Sequence, residues 1–243
     1  MKKFLCMFFS ILTLGWLQTS HQATHVEAEE NYYKNQWEAK LNTLHTKRQV
    51  IIVTVPTVRS YKGKLYSYEK MSDGNWKEAM PVMKAVIGKT GVSSRKIEGD
   101  GKSPAGKFMF GTSFGSTSKP SGMTWPFKKT TINDYWVDDS NSSLYNRWVT
   151  VNSTTKKTWR SAEKLLHPLY KYATVIRYND DPIVKGKGSA IFLHIWKNEN
   201  SPTLGCVAIS ETNIVKVLRW INSSKRPIII IGTEAQIASM IKN

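Results

Sequence analysis

Val50-Ile51-Ile52-Val53-Thr54-Val55 is a run in which every residue is β-branched, and it ends at Pro56. Such side chains are stiff about their first torsion and sit badly in a helix, but they fit a pleated sheet. The proline cannot donate to a ladder, so the run predicts a strand with a sharp stop. The same signal recurs. Lys64-Leu65-Tyr66-Ser67-Tyr68-Glu69 alternates as a half-buried strand, and Asp73-Gly74 is a turn leading to a further strand at Trp76. Met83–Gly88, Thr174–Tyr178, Ala190–Ile195 and Ile228–Gly232 read as strands too, with Gly186-Lys187-Gly188 a turn. Short strands at short spacing predict an antiparallel, mainly β domain with short helices. One helix is expected at Ser161–Leu166, capped by its serine. Another follows Cys206, where Ile214, Val217, Leu218 and Ile221 recur at helical spacing behind Ser210 or Thr212. No internal repeat is visible, and no linker divides Val50 from Ile231.

The first segment reads differently. Lys2 and Lys3 precede an apolar run from Phe4 to Leu17, shorter than the roughly 20 residues a membrane span needs. Val26-Glu27-Ala28 fits a small-x-small cleavage site. The expected organisation is therefore an export signal at 1–28, a helix or linker at 29–49 and a catalytic domain at 50–243. No later segment is long and apolar enough to cross a bilayer, so the expected location is secreted, at the cell wall or the outer face of the cytoplasmic membrane. The net charge is +17, and removing residues 1–28 takes away two lysines and one glutamate, leaving +16. A basic exported chain favours anionic surfaces, with wall polymers or lipid headgroups as the expected partners. Nucleic acid is not expected, because no basic helix or zinc-finger spacing supports it.

Loss of Cys6 with the export signal leaves Cys206 as the lone cysteine. An unpaired thiol outside the cytosol is exposed to oxidation, so its presence points to chemistry. His194 lies upstream on a predicted strand, and Thr203-Leu204-Gly205 leads into the cysteine. An imidazole can take the thiol proton and hold a thiolate–imidazolium pair. Gly205 leaves the backbone open, so that amides near Cys206 can face a developing oxyanion, and Thr203 can orient a carbonyl. The competing readings are a cysteine packed with Val207, Ala208 and Ile209, and a buried histidine bonded to a carbonyl. Gly101-Lys102-Ser103 is not a phosphate loop, since the earlier glycine is missing and Pro104 follows. Asp138 and Asp139 point to opposite faces of a strand and do not form a metal site together.

The segment Gly188–His194 followed by Pro202-Thr203-Leu204-Gly205-Cys206-Val207-Ala208 resembles the catalytic motif of the L,D-transpeptidase (YkuD-like) family. Glu98–Phe108 is similar to that family's acidic-glycine loop and its Ser-Pro-x-Gly-x-Phe strand entry. Trp136–Asp139 and Tyr145-Asn146 are similar to a divergent branch. The resemblance spans Val50 to Ile231. It implies the family's mainly β fold, Cys206 as nucleophile, His194 as base, Gly205 and Thr203 as flanking motif positions, and no cofactor. The implied substrate is a peptidoglycan stem peptide, cut between the L-centre of a diamino acid and a terminal D-alanine through a thioester. Three departures stand out: Leu204 replaces the usual histidine, Ala208 replaces an arginine, and the loop between His194 and Cys206 is short. The alternatives are a hydrolase of the same bond, a sortase-like transpeptidase, or a non-catalytic wall-binding module. A papain-like site is excluded by the order of cysteine and histidine.

Overall fold

The computed structural model describes residues 27–241. The expected export segment lies outside them, apart from Glu27 and Ala28. These two open a helix over 27–38, here α1.

The strands follow as β1 (Gln49–Val55), β2 (Lys62–Lys70), β3 (Trp76–Val86), β4 (Val92–Ser93), β5 (Ser103–Pro104), β6 (Gly106–Gly115) and β7 (Phe127–Lys129). Then come β8 (Asp134–Val137), β9 (Trp148–Thr150), β10 (Ala162–Lys164), β11 (Ala173–Ile176), β12 (Phe192–Ile195), β13 (Val207–Ile209) and β14 (Ile228–Thr233). Helix α2 (Glu211–Trp220) separates β13 from β14, and α3 (Glu234–Met240) follows β14. The main sheet runs β11-β12-β13-β3-β2-β1-β14-β6-β7, and β6 also pairs with β11. That extra pairing closes the sheet on itself like a barrel, which removes most of its open edges. The sheet is mixed, not purely antiparallel as expected: β1–β14, β12–β13 and β6–β7 are parallel. Parallel neighbours need long connections, and here loops and α2 supply them.

The β-branched run at β1 is continuous because both of its faces are buried. Ile51, Val53 and Val55 enter the larger core with Leu193, Ile195, Val207, Ile209, Ile229 and Ile231. Val50 and Ile52 face a second cluster with Tyr66, Tyr68, Ile228 and Ile230, which Trp37, Leu41, Leu44 and Ile237 of α3 cover. The 29–49 segment thus supplies three fully buried side chains to the sheet's covering layer.

Several expectations need correction. Trp76 and Met83 belong to one strand. Tyr66 faces the two residues Pro81 and Val82, between the pairs Leu65↔Met83 and Ser67↔Met80, so a bulge absorbs the proline. Residues 161–166 are not a helix. Ala162, Glu163 and Lys164 pair with Val137, Trp136 and Tyr135, and the Leu165 N–H reaches the Asp134 carbonyl. So short a segment cannot offset the cost of helix nucleation, whereas the strand gives its backbone partners at once. A strand, β13, intervenes between Cys206 and the helix. That helix is capped by Ser210, whose hydroxyl accepts from the Asn213 N–H. The closing helix α3 was not anticipated from the sequence.

Candidate active site

Strands β12 and β13 place the two candidate groups. They run parallel with Leu193 beside Val207 and His194 beside Ala208. Leu193, Ile195, Val207 and Ile209 point into the larger core. By alternation, Phe192, His194, Cys206 and Ala208 share the opposite face. There Phe114, Leu165, Tyr170, Ala173, Val175, Phe192 and Cys206 form a third cluster, and Tyr170 stands edge-on to both Phe192 and His194. Cys206 and His194 line one cavity of about 550 Å³, together with Thr203, Leu204, Gly205 and Ala208. The sequence-nominated residues therefore do come together.

Cys206 is buried, with 8% of the residue exposed. Its Sγ donates to the Ala190 carbonyl at 3.3 Å and accepts from the Phe192 N–H at 3.3 Å. Ala190 itself sits at φ +53°, an unusual conformation for a residue with a side chain, and this turns its carbonyl toward the sulfur. Burial pushes the thiol up to about 12, and the charge of Glu163 adds to that. The Phe192 N–H and Lys96 pull the other way. His194 is buried, and its Nδ1 lies 2.8 Å from the Ile195 carbonyl. A carbonyl only accepts, so Nδ1 carries the hydrogen and Nε2 holds the free lone pair. Burial lowers the imidazole to about 4, against the Ile195 hydrogen bond, which raises it. The resting pair is thus a neutral thiol and a neutral imidazole, not the ion pair expected from the sequence. The cause is desolvation, which penalises both charged forms.

The approach to Cys206 is braced from three sides. Thr203 Oγ1 donates to the Cys206 carbonyl at 2.7 Å and accepts from the Gly205 N–H at 3.1 Å. Ser103 Oγ donates to the Gly205 carbonyl at 2.6 Å and accepts from the Gly88 N–H at 3.0 Å. The Thr203 backbone exchanges hydrogen bonds with Ile87 and Lys89. Gly205 is at φ +151°, and a Cβ there would stand 3.0 Å from the Lys102 carbonyl oxygen, so a side chain has no relaxed place.

The acidic-glycine loop also lines the cavity through Glu98, Gly99 and Gly101. Glu98 accepts from the Tyr145 and Ser189 hydroxyls, and the Gly188 N–H donates to the Tyr145 oxygen at 3.0 Å. Asn146, at φ +56°, accepts from the Trp136 indole and the Ala190 N–H. Together these bonds fix the bend that feeds β12.

Sequence reasoning missed several cavity residues. Lys96 is 3% exposed and bonded to Asp100. Glu163 accepts from the Tyr170 hydroxyl at 2.6 Å. Asp138 Oδ1 is buried with no hydrogen-bond partner among the described residues, while Asp139 turns away to accept from the Asn141 and Arg160 N–H groups. Asp138 and Asp139 diverge as the sequence suggested, but both lie beyond the end of β8, so strand alternation is not the cause. Among the described residues, no group of three or more His, Cys, Asp or Glu side chains is placed to hold a metal ion. No helix of the described residues is long and apolar enough to cross a membrane.

No curated protein and no solved structure matches the chain significantly. The L,D-transpeptidase catalytic domain (YkuD) family model matches residues 50–231, which is β1 through to β14 and includes every wall of the cavity. The chain belongs to the L,D-transpeptidase catalytic-domain family.

Proposed function

We propose that the protein is an exported L,D-transpeptidase that uses Cys206 as nucleophile and His194 as base on peptidoglycan stem peptides. The observation that carries this reading is the shared cavity: a thiol and an imidazole whose Nε2 has no partner among the described residues, on one face of two paired strands. Membership of an L,D-transpeptidase family supports the substrate class.

In this reading the stem peptide enters the cavity with the carbonyl of its third residue over Cys206. The thiol proton passes to Nε2 of His194 as sulfur attacks, because neither group is charged at rest. Concerted transfer avoids forming a buried ion pair in the free protein. The bond to D-alanine breaks, the proton goes to the leaving amine, and a thioester remains on Cys206. An amine from a second stem, or water, resolves it. Thr203 and Ser103 hold the Gly205–Cys206 peptide in place through both transfers. Leu204, 75% exposed at the rim, offers no polar group to an incoming amine, which favours the hydrolytic outcome as a second reading.

The test is intact-mass detection of an acyl adduct after adding a tetrapeptide muropeptide. The expected adduct on wild type disappears in Cys206→Ala, with the circular dichroism spectrum unchanged. An adduct that persists in that variant would refute the assignment. Cross-linked dimers among the products identify a transferase, and tripeptides alone identify a hydrolase.

A further inference from the structure

Lys96 is a charged side chain that the proposed chemistry leaves idle. It sits in the loop between β4 and β5, 3% exposed, on the wall of the cavity that holds Cys206. Burying an ammonium is costly, so its surroundings must compensate. They do so only in part. Its Nζ donates to Asp100 Oδ1 at 2.7 Å and to the Ile97 carbonyl at 3.3 Å, and no third acceptor meets it among the described residues. Asp100 is itself shared, because it also accepts from the Ile97 and Lys102 N–H groups at 2.9 Å. Burial alone would raise the Asp100 carboxyl, but Lys96 and these two amides hold it below the usual range. With its counter-charge divided in this way, the Lys96 ammonium keeps one donor unused on a cavity wall whose carboxylates, Glu98, Asp138 and Glu163, do not bond to it.

Two glycines make room for this side chain. A Cβ at Gly188, at φ +102°, would stand 2.7 Å from Lys96 Cε and 3.1 Å from its Cδ. A Cβ at Gly205, at φ +151°, would stand 3.6 Å from Nζ itself. The ammonium therefore ends beside the residue that precedes Cys206. The fold keeps side chains out of that gap and leaves a cation with an unused donor facing it.

We infer that Lys96 is the specificity-determining residue for a free carboxylate on the substrate, seated one residue beyond the bond that Cys206 attacks. This rests on the transpeptidase reading for the identity of the peptide, though not for the presence of an anion site. A stem peptide ending in D-alanine carries such a carboxylate on the residue that leaves. A cation beside Gly205 is in reach of it while the thiol engages the preceding carbonyl. Charge-assisted contacts are the stronger class of hydrogen bond, so the preference for acid over amide should be at least about tenfold.

The test separates this claim from the proposed function. In the purified full chain, alkylation of Cys206 is followed by mass with iodoacetate, an anion, and with iodoacetamide, its neutral analogue. Sulfur displaces iodide in both cases, so only the charge of the reagent differs. The iodoacetate-to-iodoacetamide rate ratio is expected to fall about tenfold or more in Lys96→Met and to be kept or raised in Asp100→Asn, which retains the ammonium and removes its counter-charge. A ratio unchanged in Lys96→Met overturns the proposal. In that case the lysine only braces the loop or stabilises the thiolate, and either role slows both reagents alike. A fall in Asp100→Asn also overturns it, and that variant decides alone if Lys96→Met fails to fold. In the second arm, tetrapeptide acid and its C-terminal amide are compared as acyl donors, and Lys96→Met should erase the wild-type preference for the acid. A lost alkylation ratio with no acylation of wild type by either peptide upholds the anion site and overturns the transpeptidase reading instead.

Discussion

The neutral state of His194 makes a stability prediction with a definite sign. The folded imidazole titrates near 4 because it is buried, whereas a histidine in the unfolded chain titrates near its ordinary 6.5. Between those values the unfolded chain binds a proton that the folded one does not. Acid therefore favours unfolding: the contribution is intact above pH 6.5 and is lost as the pH falls toward 4. Between pH 8 and pH 5 this one group removes about 2 kcal/mol, from the ratio of the two binding polynomials. For a domain of this size that is about 4–8 °C in melting temperature. The perturbation is His194→Gln, which keeps a polar group of similar size but cannot titrate. Thermal melts of wild type and variant at pH 8 and pH 5 give a difference of differences in which every other titrating group cancels. The variant should lose that much less on acidification, whatever its absolute stability. Equal losses in both proteins would mean that the imidazole is solvated or charged at rest, and the concerted proton transfer argued above would fall with it.

Other outcomes follow from the same structure. Ser103→Ala removes the hydroxyl that joins the Gly88 N–H to the Gly205 carbonyl, leaving buried groups unpaired. It should cost about 1–3 kcal/mol in denaturant unfolding and slow acylation in single-turnover assays. Trp37→Ala empties a fully buried site between α1 and the sheet, and should cost about 3–5 kcal/mol with no direct effect on Cys206 alkylation in the folded protein. A loss under 1 kcal/mol would instead mark the 29–49 segment as a dispensable appendage. Binding of the basic chain to anionic wall polymer should fall steeply from low to moderate salt, because exposed charges are screened beyond roughly 8–10 Å. Turnover of a small soluble muropeptide should change little over the same range. A parallel decline would place the surface cations in the substrate site.

Strand positions were legible wherever one local rule decided them. The β-branched run at β1 and the isoleucines of β14 announced themselves, and the Asp-Gly turn before β3 was placed correctly: the Asn75 N–H reaches the Asp73 side chain and the Gly74 N–H the Met71 carbonyl. Long-range pairing was not legible. β1 lies beside β14, and no periodicity in either run says that they are parallel neighbours. Residues 161–166 failed for a related reason. Their serine suits a helix cap locally, and only the partner strand β8 shows why they extend. The bulge that accommodates Pro81 between Trp76 and Met83 likewise cannot be seen without the strand opposite.

At the site, the sequence supplied the reacting groups and concealed their electrostatics. Cys206, His194, Thr203 and Gly205 were nominated by residue type and spacing, and all four line one cavity. Their protonation could not be read that way, because a pKa depends on what encloses the group. The Phe192, Tyr170 and Leu165 side chains that dry the thiol come from three separated segments. Lys96 was invisible for the same reason: a lysine before a loop reads as solvated until the two glycines that accommodate it are brought alongside. The departures at 204 and 208 take on a physical meaning in this setting. With Leu204 turned out to solvent and Ala208 buried beside His194, neither position offers a charge near the thiol. The cation and carboxylates on its cavity walls come instead from the loop before β5, from the segment after β8 and from β10, as Lys96, Asp138 and Glu163. The chain thus keeps polar groups around its cavity while drawing them from elements other than the cysteine motif. Specificity in this protein should accordingly respond more to changes at 96, 138 and 163 than to restoring histidine at 204.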